Sequence, residues 1–405
     1  MKYETIDLSI LAERLIAARK TAKITQEAAA NHLGISRPTF ISVEKGVRRP
    51  RPDELLKLAD LYNTALHNLL RSESRPAVLR PHLRSVLDES IGGQEELGKA
   101  IAILTSYIDD YQYLEGLLGV QPLSHFPPAV SSRPGTIERF AEHCAEVERT
   151  RLNLGLHQPV YKLRTALEDG GLHVFMEQLD SKLAGMYVFV PGFGYCILIN
   201  RLHRRERRRW TIAHEYGHYV FDRDKPGVDY VKAQIRKSES EKFADAFAAA
   251  LLMPAAGVQH RFYEEYDRTG DFIVSNLLGM AEYFGVSLPA MALRMESLNL
   301  IGRGSWELLR QSGARLSDLK GFAGVKALDD GDSIDPYPER YKLLAVQAYI
   351  EDKISEGQLA KLLRCSRIDA REVVDIVSSV SGEDEGDYFP VSLTHSFLKS
   401  AGSEG

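Results

Sequence analysis

The sequence predicts a mainly α-helical chain with one small β-sheet, divided among several domains. Three observations lead there. Apolar residues recur at helical spacing over most of the chain. Short β-rich runs gather in one stretch, between 172 and 200. The 405 residues, 44% of them hydrophobic, exceed what a single core needs.

Residues 9–70 read as a compact five-helix unit. Leu11, Leu15, Ile16 and Ala18 mark a first helix. Thr25 opens a second over 25–32, with Ala28 and Ala29 expected to face inward. Leu33-Gly34-Ile35-Ser36 makes a turn, and Ser36 caps the next helix, which runs to Glu44 before Gly46 stops it. The basic loop VRRPRP follows, and Asp53 is expected to cap a helix carrying Leu55, Leu56, Leu58, Ala59 and Leu61. One or two helices follow over 83–120. The Pro- and Ser-rich stretch 121–135 reads as a linker. Helices are expected at 137–152 and 160–168, strands at 172–175, 185–190 and 194–200, and helices at 205–221, 239–252, 272–284 and from 286. An acidic loop at 329–338, helical pieces over 339–378 and a poorly ordered tail complete the chain. No repeat of 20–50 residues stands out, although 25–45 and 354–375 are weakly alike.

A formal charge of −5 excludes no partner class, because a basic face can sit within an acidic whole. Cys144, Cys196 and Cys365 form no metal or disulfide framework, which points to a reducing cytoplasm. The N-terminus shows no secretory pattern, and no apolar run is long enough for a membrane span.

The chemistry concentrates in Ala213-His214-Glu215-Tyr216-Gly217-His218. Two histidines four apart share one helix face and can grip one zinc ion, with Glu215 beside the metal as a general base. Trp210, Ile212, Ala213, Val220 and Phe221 surround this polar trio with apolar surface, and Gly217 permits close approach of another element. A catalytic zinc needs a third protein ligand. Glu241, opening the apolar helix that contains Phe247, Leu251 and Leu252, supplies a candidate, and Asp245 one turn later is placed to orient a histidine. Tyr216, Tyr219, Tyr263 and Tyr266 are candidate oxyanion donors by chemistry alone.

The helix A213-H-E-Y-G-H218 and the later E241-K-F-A-D-A-F-A-A-A-L-L-M-P254 resemble the ImmA/IrrE family of zinc peptidases. Asp245 stands where that family commonly has Asn. The resemblance covers roughly 135–300. It implies an α+β zincin-like domain, zinc held by His214, His218 and Glu241, Glu215 as the base, and a peptide bond as target.

The stretch T25-Q-E-A-A-A-N-H-L-G-I-S-R-P-T-F-I-S-V-E-K-G46 resembles the helix-turn-helix of Xre/Cro-type repressors. In that fold the second helix enters the major groove. Gln26, Ser36, Arg37 and Thr39 are then candidates for phosphates or base edges, and Arg48, Arg49 and Arg51 for the DNA backbone. The first 70 residues hold eleven basic and eight acidic side chains, a modest positive excess. The six arginines of 201–209 read as a solvated approach to the histidine helix, with a positive rim as the sharper alternative. The piece from Ser355 to Val374 has helix-turn-helix rhythm but few arginines, and is read as helical packing.

Together these readings divide the chain into 1–75 (DNA-binding), 76–134 (connector and linker), 135–300 (zinc peptidase) and 301–405 (helical, with an acidic tail). The function expected is a cytoplasmic, dimer-forming transcription regulator of a stress or mobile-element response. It would bind operator DNA and cleave a partner repressor or antitoxin. The alternative is a DNA-binding factor whose silent zincin-like domain senses a metal, ligand or protein.

Overall fold

A computed structural model describes residues 8–22, 24–62, 64, 66–70, 94–121, 135–190, 193–222, 227–230, 238–311 and 335–379. Most of the expected linker, the start of the acidic loop, the region 83–93 and the tail beyond 379 lie outside the described residues. The chain forms two compact units, Met1–Ala77 and Val78–Gly405.

Among the described residues the first unit holds four helices, α1 (Leu8–Thr21), α2 (Gln26–Leu33), α3 (Arg37–Glu44) and α4 (Pro52–Leu61), and the fifth expected helix is only the one-turn segment α5 (Leu66–Leu70). Leu11, Leu15, Ala29, Ala30, Phe40, Val43, Leu55 and Leu58 close its core. Two local expectations change. Ala28 is exposed, and Ala29 with Ala30 faces inward, because the buried face of this helix is the one that packs with Leu33 and Phe40 in the core. Asp53 lies inside the first turn of α4, whose cap is Arg51. Gly34 takes the left-handed conformation (φ 68°) that turns α2 into the Ser36 cap of α3.

In the second unit α6 (Gln94–Leu118), α7 (Ile137–Arg151) and α8 (Leu163–Asp169) precede three strands, β1 (Leu172–Glu177), β2 (Leu183–Val190) and β3 (Gly194–Asn200). Next come α9 (Arg205–Asp222), β4 (Gly227–Tyr230), α10 (Glu239–Leu252), α11 (Ala255–Thr269), α12 (Val274–Phe284), α13 (Leu288–Ser297) and α14 (Ser305–Gln311). The described chain ends with α15 (Glu339–Ile350), α16 (Glu356–Leu362) and α17 (Arg367–Ser379). The sheet runs β1-β3-β2-β4, with β1 and β3 parallel and the other pairs antiparallel. The short β4 lacks a strong alternation and was not expected.

Side chains on successive strand positions alternate between two cores. Leu172, Val174, Tyr187, Tyr195, Ile197 and Ile199 join α7, α9, α10, α12 and α13 on one face. Phe175, Met186, Val188, Cys196 and Leu198 join α6, α15, α16 and α17 on the other. With both faces covered, β1 to β3 read as apolar runs rather than as alternations.

Candidate metal centre

The site lies where α9 packs on α10. Gly217 makes that contact close: a Cβ there would sit 2.9 Å from the Ala244 Cα. The backbones therefore approach nearer than any side chain would allow, as Gly217 suggested. Ser238 caps α10 by accepting from the Glu241 N–H at 3.2 Å, which sets Glu241 in the first turn.

Across this contact three ligand residues converge. His214 Nε2 lies 3.1 Å from His218 Nε2 and 3.4 Å from Glu241 Oε2, and His218 Nε2 lies 3.3 Å from Glu241 Oε1. Zinc bonds of about 2.0–2.1 Å put the corners of a tetrahedral shell about 3.3 Å apart, the spacing between the two imidazoles and from each to its own nearer Glu241 oxygen. The outward nitrogens are also held. His214 Nδ1 faces Asp245 Oδ1 at 3.1 Å, and His218 Nδ1 faces Ser240 Oγ at 3.0 Å. Nδ1–H donation to these oxygens leaves each Nε2 lone pair pointing at the common centre. Tyr187 lies parallel to the His218 ring at 6.3 Å between centroids. When the imidazoles donate to it, His214 and then His218 hold the Glu241 carboxyl well below the usual carboxylate range, against the effect of burial.

His214, His218 and Glu241 thus form a cluster able to hold a metal ion. Glu215 is fully buried on the same helix. Ser240 was missed in the sequence: a serine beside a ligand gives no signal until α10 is placed against α9. The tyrosines separate into two kinds. Tyr216 is buried and donates to Glu148, while Arg151 donates to it at 2.8 Å, so it belongs to a packing network. Tyr219 is buried against Tyr195, and Tyr263 and Tyr266 are exposed on α11. Arg209, read as part of a basic run, is buried and donates to the Gly285 and Val160 carbonyls, which ties α9 to its neighbours. Arg204 and Arg207 are exposed.

In the first unit, Ser36 accepts from the Thr39 N–H at 3.3 Å and exchanges a 2.7 Å hydroxyl bond with it. Arg37 is exposed and Arg49 half-buried. Gln26 donates to Glu44 at 2.7 Å, Arg48 to Glu54 at 2.9 Å and Arg51 to Glu54 at 3.3 Å. These three side chains hold the unit together as well as bordering its surface.

The comparisons agree with this division. Residues 10–71 match a helix-turn-helix domain, and residues 167–296 match the IrrE N-terminal-like domain. Over 80 residues the chain is 32% identical to YqaE, an uncharacterized HTH-type transcriptional regulator of Bacillus subtilis (strain 168); this is 20% of this chain and 69% of that protein. Over 63 residues it is 36% identical to the HTH-type transcriptional regulator AnsR of the same organism, 16% of this chain and 54% of that one. The crystal structure of ComR from Streptococcus suis aligns over 93% of this chain and 95% of its own at 12% identity, with a TM-score of 0.16, too low to carry a structural conclusion. No described helix is long and apolar enough to cross a membrane. The chain joins an N-terminal helix-turn-helix domain to an ImmA/IrrE-like domain, and its N-terminal part belongs to the HTH-type transcriptional regulators.

Proposed function

We propose that this protein is a DNA-binding regulator whose second unit is a zinc-dependent endopeptidase. The observation that carries this reading is the convergence of His214, His218 and Glu241 at 3.1–3.4 Å, with both outward nitrogens already engaged. A merely polar helix face has no need to aim three lone pairs at one point.

The proposed domains are 1–75, 76–134, 135–300 and 301–405. His214, His218 and Glu241 hold the ion, and Asp245 and Ser240 fix the two rings. Zinc held there would supply Lewis-acid chemistry, activating a water and polarising a carbonyl. Glu215 takes the proton of the attacking water and returns it to the leaving amine. A purely structural ion has no use for this buried carboxylate, which favours hydrolysis over sensing. The substrate is a partner repressor or antitoxin, and its cleavage releases promoters under stress. Residues 9–70 bind operator DNA as a dimer, with Ser36, Arg37 and Thr39 at the groove and Arg49 at phosphate.

Glu215→Gln tests this assignment. Glutamine keeps the size and helix propensity but cannot take the proton. Zinc content and DNA binding should stay unchanged, while cleavage of the partner falls by roughly 10²–10⁴-fold. Mass spectrometry of the partner over time, at equal zinc content, reads the result. Equal cleavage by both proteins removes Glu215 from the mechanism. Intact partner with both, alongside normal regulation in cells, selects the sensor instead.

A further inference from the structure

The helix-turn-helix of the first unit recurs at the far end of the described chain, displaced by 330 residues throughout (Thr25 to Ser355, Ser36 to Ser366). Thr25 caps α2 by accepting from the Ala28 N–H, and Ser355 caps α16 by accepting from the Gln358 N–H. In the first turn, Gly34 N–H donates to Asn31 O at 3.1 Å and Ile35 N–H to Ala30 O at 3.1 Å. In the second, Arg364 N–H donates to Lys361 O at 3.2 Å and Cys365 N–H to Ala360 O at 3.0 Å. The left-handed residue is Gly34 (φ 68°) in one and Arg364 (φ 49°) in the other. Ser36 then caps α3 through Thr39, and Ser366 caps α17 through Asp369 at 3.2 Å. Arg37 and Arg367 are the first residues of these helices. The inward positions correspond too: Ala29, Ala30, Leu33 and Phe40 against Leu359, Ala360, Leu363 and Ala370. Even the preceding helices agree, with Leu11 and Leu15 against Tyr341 and Ala345, all buried.

The same turn also joins α12 to α13, where Val286 N–H donates to Ala281 O at 3.0 Å. That copy is a control. Its second helix begins with buried Leu288, and its Arg294 is buried on Met253 O and Glu142. The turn alone therefore builds core. What sets 339–379 apart is a local cluster of exposed basic side chains beside the start of α17, within a segment whose seven basic and seven acidic residues balance. A cleft of about 570 Å³ is lined by Lys361, Arg364 and Arg367 with Ser355, Gly357 and Gln358, and no acidic residue lines it among the described residues. A Cβ on Gly357 would lie 3.3 Å from Arg367 Nη2, so the guanidinium lies over the start of α16. Arg364 is anchored on Ser106 at 2.8 Å and on the Tyr107 ring. Of the nearby acids, Asp110 faces Arg364 at 3.7 Å, Glu356 is paired with Arg371 at 2.9 Å, and the exposed Asp369 accepts from the Ser366 N–H at 3.2 Å. Glu372 and Asp375 are exposed further along α17, away from its N-terminal end.

We propose that residues 339–379 form a second duplex-DNA-binding unit, with Lys361 and Arg367 meeting the phosphate backbone at the N-terminal end of α17. Recognition helices in this motif meet DNA with their N-terminal residues, the end that carries the cationic cleft here.

The test uses the full chain and a fluorescein-labelled duplex pool of random sequence, read by anisotropy over a salt series. Lys361→Gln/Arg367→Gln is made in wild type and in Arg37→Ala/Arg49→Ala. In the second background the residual affinity should fall at least about tenfold, and the slope of log K against log salt should shrink by about two. Lys361→Arg/Arg367→Lys, which keeps both charges, should retain binding. Unchanged affinity and slope in both backgrounds, with native circular dichroism, overturns the proposal and leaves this surface to a protein partner. Loss with the charge-keeping pair as well also overturns it. Should Arg37→Ala/Arg49→Ala have no effect, the reading of the first unit fails, and the Lys361/Arg367 result still decides this one.

Discussion

Glu44 and Glu241 are both helical carboxylates drawn toward an interior, and they are held in opposite ways. Glu44 on α3 is buried and receives Arg19 Nε at 2.7 Å, Arg19 Nη2 at 3.1 Å and Gln26 at 2.7 Å. Its charge is met by a guanidinium from its own unit, so it holds three helices together and needs no ligand. Glu241 on α10 faces two imidazoles whose other nitrogens are already engaged. An imidazole, unlike a guanidinium, carries no permanent positive charge, and donor atoms gathered at one place suit a metal cation. Glu44 is satisfied within the fold, whereas the half-buried Glu241 belongs to a cluster able to hold a metal ion.

The largest expected effect would break that comparison outright. Elemental analysis of the protein should find about one zinc per chain. Glu241→Gln should weaken binding by more than the roughly 10–100-fold that loss of an outer partner costs, while Asp245→Ala and Ser240→Ala should fall within that range. Glu44→Ala should leave zinc content untouched. A metal-free protein from a zinc-replete preparation would falsify the centre.

Glu44→Ala should instead destabilise the first unit by about 3 kcal/mol, because Arg19 is left partly buried without its carboxylate. Calorimetry of the full chain should show the earlier melting of one unit only. A shift of both transitions would mean that Glu44 acts beyond its own unit.

His173 sharpens the contrast, as a buried imidazole placed for packing rather than for metal. It stacks on Phe193 at 4.2 Å, meets Tyr111 edge-on at 4.8 Å and contacts Phe193 O at 3.3 Å. Burial pushes its pKa down to about 4, against the carbonyl contact and helped by the Arg340 charge. The unfolded chain, titrating near 6.5, therefore binds the proton first. Stability is fully present above about pH 6.5 and declines as pH falls toward about 4, by about 3 kcal/mol in all. His173→Phe should flatten that slope between those limits in denaturant titrations at several pH values. An unchanged slope would place the proton uptake elsewhere.

The smallest effect concerns the approach of the two site helices. Gly217→Ala gains about 1 kcal/mol of helix propensity but forces the Ala244 backbone outward at a cost of about 1–3 kcal/mol. A modest net loss of stability with weaker zinc binding is expected. Wild-type metal affinity in this variant would show that the site tolerates a wider helix spacing.

Much was legible in the sequence because it was local. The i, i+4 histidines share a face on any helix, and Thr25, Gly34 and Ser36 specify cap, turn and cap within twelve residues. Glu241 and Asp245 stood out because charge one turn apart opens an otherwise apolar helix. Other features exist only after distant segments meet. Ser240 becomes a histidine partner because Gly217 lets α10 settle on α9 through Ala244. Arg209 left the basic run for two distant carbonyls, and Gln26 and Arg48 turned toward buried carboxylates, because a long side chain's partner is set by what packs beside it. The likeness of 25–45 to 354–375 was faint in residue identity, since Ala29 and Phe40 give way to Leu359 and Ala370. Backbone hydrogen bonds and burial carry the correspondence, and they depend on position in a packed helix pair rather than on which apolar residue occupies it. Sequence determined the elements and the chemistry that each could offer; tertiary packing decided which polar groups are consumed by the fold and which remain aimed at a ligand.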